Sequence, residues 1–214
     1  MNVKKEAKFN ALLQASIELI LEKGFQKMSV SDIVKRAGVA QGTFYIYFPT
    51  KNDIVPAVAE HILEQLLSQI KSTTVASHSF WDKVHTIIDA TFDMTSHYKE
   101  AILLCYSGLA YHHSFLQWEK IYDPYYVWFA EQIRSAQQTG EVNQDIVVTD
   151  RLVRMIINMV EQTAEMYFFV DVQQEQHGEK ISTEQSSSTG MEHQLKQELF
   201  DFISRSLSSL NSRN

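Results

Sequence analysis

Ser29-Val30-Ser31-Asp32-Ile33-Val34-Lys35-Arg36-Ala37-Gly38-Val39-Ala40-Gln41-Gly42-Thr43-Phe44-Tyr45-Ile46-Tyr47-Phe48-Pro49-Thr50-Lys51 is the stretch on which the reading of this chain turns. Ser29 with Asp32 three residues on is a capping-box start, with Asp in place of the usual Glu. The helix it opens carries Ile33, Val34 and Ala37 inward and ends at Gly38. A short helix, Ala40 to Tyr47, follows after Gly38-Val39 alone, and Phe48-Pro49 stops it, because the residue before proline is pushed out of helical space. Two helices joined so tightly form a helix-turn-helix pattern.

Working outward, Phe9, Leu12, Leu13, Ile17 and Ile20 make a helical stripe from Lys5 to Lys23, closed by Gly24 and followed by Phe25. On the other side Thr50, with Asp53 three residues later, caps a long fourth helix running to about Lys71. Pro56 falls inside that helix, where it deletes the bond to the Asn52 carbonyl and is expected to bend it. Past residue 75 the apolar spacing supports helices near 79–97, 99–113, 115–138 and 148–172, with a turn at Gly140. Residues 173–190 are polar and rich in Ser and Gln and read as a mobile loop; a last helix covers about 191–210. The fold class is all-α.

Composition agrees. Gly and Pro together are 10 of 214 residues, too few for a turn-rich sandwich or barrel, and the 44% hydrophobic content excludes a chain disordered throughout. A lone cysteine, Cys105, excludes a disulfide scaffold and fits a reducing compartment. No uncharged apolar run reaches membrane-spanning length and the N-terminus has no signal-peptide core, so a soluble cytoplasmic protein without membrane contact is expected. The net charge of −7 is misleading. Residues 1–55 hold eight Lys and Arg against five acids, net +3, which leaves −10 for the rest, and such asymmetry hints at a nucleic-acid-binding end.

The short helix presents Gln41, Thr43 and Tyr45 among inward Val39, Phe44 and Phe48. Gln bonds adenine bidentately and Thr touches a thymine methyl in the major groove. Gly42 removes a side chain where backbone approaches DNA. Tyr47 and Lys51, with the amides opening the fourth helix, are suited to phosphate. The run Ser29-x-x-x-Ile33-Val34-x-x-Ala37-Gly38-Val39-Ala40-x-Gly42-x-Phe44-Tyr45-x-Tyr47-Phe48-x-x-Lys51 resembles the DNA-binding signature of tetracycline-repressor-like (TetR family) transcriptional regulators. Ala15-x-x-x-Leu19-Ile20-x-x-x-Gly24-Phe25 is similar to that family's first helix, so the resemblance covers about residues 5–66.

The resemblance implies a homodimer that binds a palindromic double-stranded DNA operator. It implies an N-terminal three-helix head, residues 1–50, with the DNA-binding residues Ser29, Ala40, Gln41, Gly42, Thr43, Tyr45 and Tyr47 in it and Lys51 directly after it. It also implies a helical regulatory, ligand-binding and dimerisation domain, residues 51–214, whose last two helices form the dimer interface. Two departures stand out: Ala40 cannot cap the recognition helix, and no Lys or Arg occupies its exposed positions, so base reading rests on neutral groups.

In the regulatory part, Tyr106, Trp118, Tyr122, Tyr126 and Phe129 belong to a dense aromatic run, and Glu161 lies in an apolar stretch. They are the candidate contacts of an unknown small-molecule inducer, largely apolar or aromatic. A cationic aromatic ligand is conceivable through Glu119, Asp123, Glu161 and Glu165, although a solvated face is the preferred reading of each acid. Met159 and Met166 on the wide apolar surface near 148–172, with Leu195, Leu199, Phe202 and Ile203 on the last helix, are the expected dimer contacts. His112-His113 and His85 with Asp89 are poor metal sets, no catalytic motif is present, and neither cofactor nor enzymatic activity is expected. The reading is a repressor released from its operator by a small ligand; the alternative is a similar DNA-binding protein controlled by a protein partner.

Overall fold

The computed structural model describes residues 3–74, 79–109, 115–177 and 185–208. Among these, every regular element is helical: α1 Val3–Lys23, α2 Val30–Ala37, α3 Gln41–Tyr47, a 3-10 turn Lys51–Ile54, α4 Val55–Thr73, α5 Phe80–Leu109, α6 Phe115–Thr139, α7 Asp150–His177 and α8 Gln185–Leu207. The chain divides into two compact units. One comprises Met1–Glu64 and Tyr98–Ile121, the other Gln65–His97 and Tyr122–Asn214.

Local chemistry sets the helix ends of the first unit. The Ser29 amide donates to Asp32 Oδ2 at 2.9 Å and the Asp32 amide donates back to Ser29 Oγ at 3.1 Å, so two otherwise unsatisfied donors of α2 are paired. Lys23 adds an ion pair to the same oxygen at 2.9 Å. Bonds from Ser29 and then Lys23 hold the Asp32 carboxyl far below the usual carboxylate range. At the other end Gly38 takes φ 67°, the left-handed conformation in which a Cβ is strained, and its amide reaches back to Lys35 and Val34. Leu12, Ile20, Ile33, Phe44 and Ile54, each at most 1% exposed, form the core between the helices of this head. Burying a ring such as Phe44 contributes about 1.5–3 kcal/mol.

Pro56 corrects an expectation. It does not lie inside a continuous helix, because the segment capped by Thr50 and Asp53 starts as a 3-10 turn and α4 begins only at Val55. In the first turn of a helix an amide N–H has no intrahelical partner to lose, and the Asn52 carbonyl accepts from Val55 instead. The proline inside a helix is Pro124 of α6. A second small cluster of the first unit packs Val55, Ala59 and Cys105 with Phe25 and Leu104. Burial pushes the Cys105 thiol up to about 12, so it stays protonated and inert.

In the second unit Phe80, Ile88 and Phe92 of α5, Tyr125, Phe129 and Ile133 of α6, Val153, Ile157 and Val160 of α7, and Leu199, Ile203 and Leu207 of α8 fill the core. The expected division between 79–97 and 99–113 appears as a kink at Tyr98, φ −108° and ψ 20°, within α5. Part of the expected loop at 173–190 is helical, α7 continuing to His177 and α8 starting at Gln185, and 178–184 lie outside the described residues. Polar composition there does not prevent helix, since Gln and Glu are good helix formers.

Candidate nucleic-acid interface and ligand cluster

Seven residues make α3, and two sides of it differ sharply. Phe44 is fully buried, its ring centroid 5.4 Å from that of Phe48 and 5.5 Å from that of Tyr45. Gln41, Gly42, Tyr45 and Ile46, related by steps of one and four, share the outward side; Tyr45 is 50% and Ile46 69% exposed. Thr43 and Tyr47 lie off that side and are half-buried. Ala40 adopts extended backbone and supplies no side-chain cap, as its methyl dictates.

A Cβ built on Gly42 meets no protein atom within 4 Å. Nothing in the chain's own packing therefore demands glycine at this position. Ile46 was not among the expected contact residues; its signal in the sequence was its spacing of four from Gly42 and one from Tyr45.

The flanking residues are tied into the head. The Tyr47 hydroxyl donates to the Lys5 carbonyl at 2.8 Å, and its ring meets Phe9 edge-on at 6.0 Å. Lys51 Nζ donates to the carbonyls of Phe25 and Met28, each at 3.0 Å, and stands 4.4 Å from the centroid of the Phe25 ring. The Ser29 hydroxyl is occupied by its capping box. Arg36 is held by Glu22, with one bond of 2.7 Å, and by Glu18 at 3.4 Å. Exposed Lys5, Lys8, Lys27 and Lys35 supply positive charge around them.

In the second unit the sequence-predicted ligand residues separate. Tyr122 and Tyr126 stack at 5.5 Å on α6, and the Tyr122 hydroxyl donates to Glu161 Oε2 of α7 at 3.3 Å. The Arg154 guanidinium lies 4.4 Å from the centroid of Tyr126, and Phe129, 1% exposed, stacks on Phe80. Glu161 departs from the solvated-face reading. Burial first, and the charge of Glu165 second, raise its carboxyl to about 8 against the opposing bond from Tyr122. Tyr106 is 46% exposed and belongs to the first unit. The Trp118 side chain lies outside the described residues.

The expected dimer contacts also sort into two sets. Leu199 and Ile203, 6% and 1% exposed, are buried within the single chain. Met166 and Phe202 are 68% and 60% exposed, Met159 and Leu195 are half-buried, and Met155 and Met191 add exposed sulfur side chains to the same helices. The His85 and Asp89 pair diverges, His85 stacking on Phe200 at 3.7 Å and Asp89 pairing with Lys196 at 3.2 Å. Among the described residues no group of three His, Cys, Asp or Glu is placed to hold a metal ion, and no helix is long and apolar enough to cross a membrane.

Comparison with known proteins follows this division of labour. Residues 12–58 match the family model of bacterial regulatory proteins, tetR family, and residues 84–207 match that of a tetracyclin repressor-like C-terminal domain. The chain is 44% identical over 200 residues to the uncharacterized HTH-type transcriptional regulator YvdT of Bacillus subtilis, covering 94% of this chain and 95% of that one. Its fold is similar to that of the fatty acid degradation regulator FadR from Bacillus halodurans, with TM-score 0.66, 20% identity, and coverage of 90% and 94% of the two chains. FadR from Bacillus subtilis in complex with stearoyl-CoA gives TM-score 0.64 at 20% identity, over 90% and 97%.

Proposed function

Because this chain belongs to the tetR family of bacterial DNA-binding transcriptional regulators, we propose that it is a homodimeric, cytoplasmic repressor released from a palindromic operator by a small, largely apolar or aromatic ligand. The observation that carries the DNA part is the outward side of α3, which exposes Gln41, Gly42, Tyr45 and Ile46 while Phe44 anchors the helix. Residues 1–50 act as the head and 51–214 as the regulatory part. Each α3 enters a major groove, the two heads lying one turn, about 34–36 Å, apart. Gln41 reads base edges; Thr43 and Tyr45 touch the groove wall; Ser29, Ala40, Tyr47 and Lys51 border the phosphates. The internal bonds of Tyr47 and Lys51 serve this role by holding both side chains in place before DNA arrives.

Gly42→Ala tests this directly. Alanine is the better helix former by about 0.8–1.0 kcal/mol, so the melting temperature holds or rises. Operator affinity falls at least tenfold, because the new methyl stands between backbone and groove. Undiminished affinity would remove this side of α3 from the interface.

The regulatory ligand is held against Tyr122, Tyr126 and Phe129, with Glu161 as its polar anchor. A desolvated carboxylate gains most from a cation or a strong donor, which favours amines and aromatic cations over anionic ligands. The ligand acts by preferring the arrangement of heads that fits the operator poorly. Compounds that raise the melting temperature of the full-length protein are collected from a panel of apolar and aromatic amines, and operator affinity is measured with each. Weakened binding is the expected result; unchanged affinity for every stabilising compound sinks small-ligand control.

A further inference from the structure

We infer that Ile46 is a base-reading residue that recognises the C5-methyl of thymine, and that the base pairs read by α3 in each half-site are A·T pairs. The inference rests on the DNA-binding reading of α3 and goes beyond it by naming the residue and the chemistry of its partner.

A single exposed apolar side chain is ordinary and by itself asks for no explanation. Ile46 is less ordinary. Among the described residues it is the most exposed large hydrophobic of the head, at 69%, and it stands in a helix of only seven residues. A β-branched residue there costs helix stability without returning any packing. One turn earlier on the same side stands Gly42, the poorest helix former of α3, whose missing Cβ would meet nothing beyond its chain neighbours and its own helix backbone. Gly42 and Ile46 are thus neighbours on its outward side. Side by side they make a flat spot followed by an aliphatic knob. The flat spot lets the backbone approach the groove, and the knob then reaches a group that protrudes from a base pair.

The major groove displays one apolar protrusion, the thymine methyl; the other edge groups are hydrogen-bond donors and acceptors. An isoleucine facing those polar edges would desolvate them without pairing. Facing a methyl, it buries apolar surface on both sides. The remaining outward groups agree. Gln41 offers an amide matched to adenine, Tyr45 a phenol, and α3 as a whole carries no Lys or Arg for the bidentate contact that selects guanine. Thr43, the residue otherwise suited to a methyl, is half-buried off this side, which leaves the task to Ile46.

The test uses the full-length protein and an operator selected from a random DNA pool. Each thymine of the half-site is replaced in turn by deoxyuridine, which deletes the methyl and leaves base pairing intact. One methyl is worth about fourfold in affinity per half-site, and about sixteenfold when both half-sites are substituted. The loss is expected at one or two thymines. Ile46→Ala should keep its melting temperature and its dependence on salt, lose affinity for the thymine operator, and show no further loss when that thymine becomes deoxyuridine. A scan in which no methyl matters overturns the inference, as does a methyl whose loss costs Ile46→Ala as much as the native protein. Failure to select any DNA at all would instead count against the DNA-binding reading itself.

Discussion

Phe202→Asp is expected to leave a folded, helical protomer that sediments as a monomer and binds its operator at least a hundredfold more weakly. Phe202 is 60% exposed on α8, at the outward spacing shared by Met191 and Leu195. Met155, Met159 and Met166 mark a comparable side of α7. A carboxylate at Phe202 costs the protomer little where water reaches it, about 0.5 kcal/mol or less. Facing its own copy across a two-fold axis it brings two like charges into an apolar contact. Loss of the second head then removes the avidity of paired half-sites, about 10²–10⁴-fold. Leu199→Asp is the contrast. Leu199 is 6% exposed within a single protomer, so the substitution deletes core packing worth about 2–5 kcal/mol and buries an unpaired charge as well. Circular dichroism should show it unfolded. An intact Phe202→Asp dimer places the interface elsewhere, and a folded monomeric Leu199→Asp would place that residue in it.

A second large effect belongs to Glu161. An unfolded carboxyl titrates near 4.5, whereas in the folded protein this one titrates near 8. Between those values the folded state holds a proton that the unfolded state has released, so stability falls as pH rises through the window and levels off above it. Below 4.5 both states are protonated and the penalty vanishes. Glu161→Gln keeps the shape and removes the charge. It should nearly match the native protein at pH 4.5 and exceed it at pH 9 by up to about 5 kcal/mol, each tenfold change in proton affinity being worth ~1.4 kcal/mol. Denaturant melts of both proteins across this range provide the measurement. A difference that does not grow with pH would mean that Glu161 ionises normally and that the carboxylate is solvated after all. If the difference grows, binding of an aromatic cation at neutral pH should release a proton from this site, detectable as buffer-dependent heat.

The features legible in the sequence are those whose causes lie within a few residues of one another. Ser29 with Asp32, Thr50 with Asp53 and the left-handed Gly24 and Gly38 are caps closed over three to five positions, so composition at fixed spacing specifies them. The order of helices and the break at Tyr98 follow from apolar periodicity in the same local way. The spacing around α3, together with the family signature, sufficed to identify the DNA-binding head.

What required tertiary structure is separated in sequence. Lys51 bonds carbonyls 26 and 23 residues away, Tyr47 reaches one 42 residues away, and Tyr122 meets Glu161 across 39. The apolar stripe of α8 contains both Leu199 and Phe202, and periodicity places them on neighbouring sides without saying which side is covered. Coverage depends on the direction from which α5, α6 and α7 deliver their side chains. The same uncertainty hid Glu161, whose sequence neighbours suit water as well as a core. A residue's own chemistry sets what it costs to bury; only the packing of distant helices decides whether that cost is incurred.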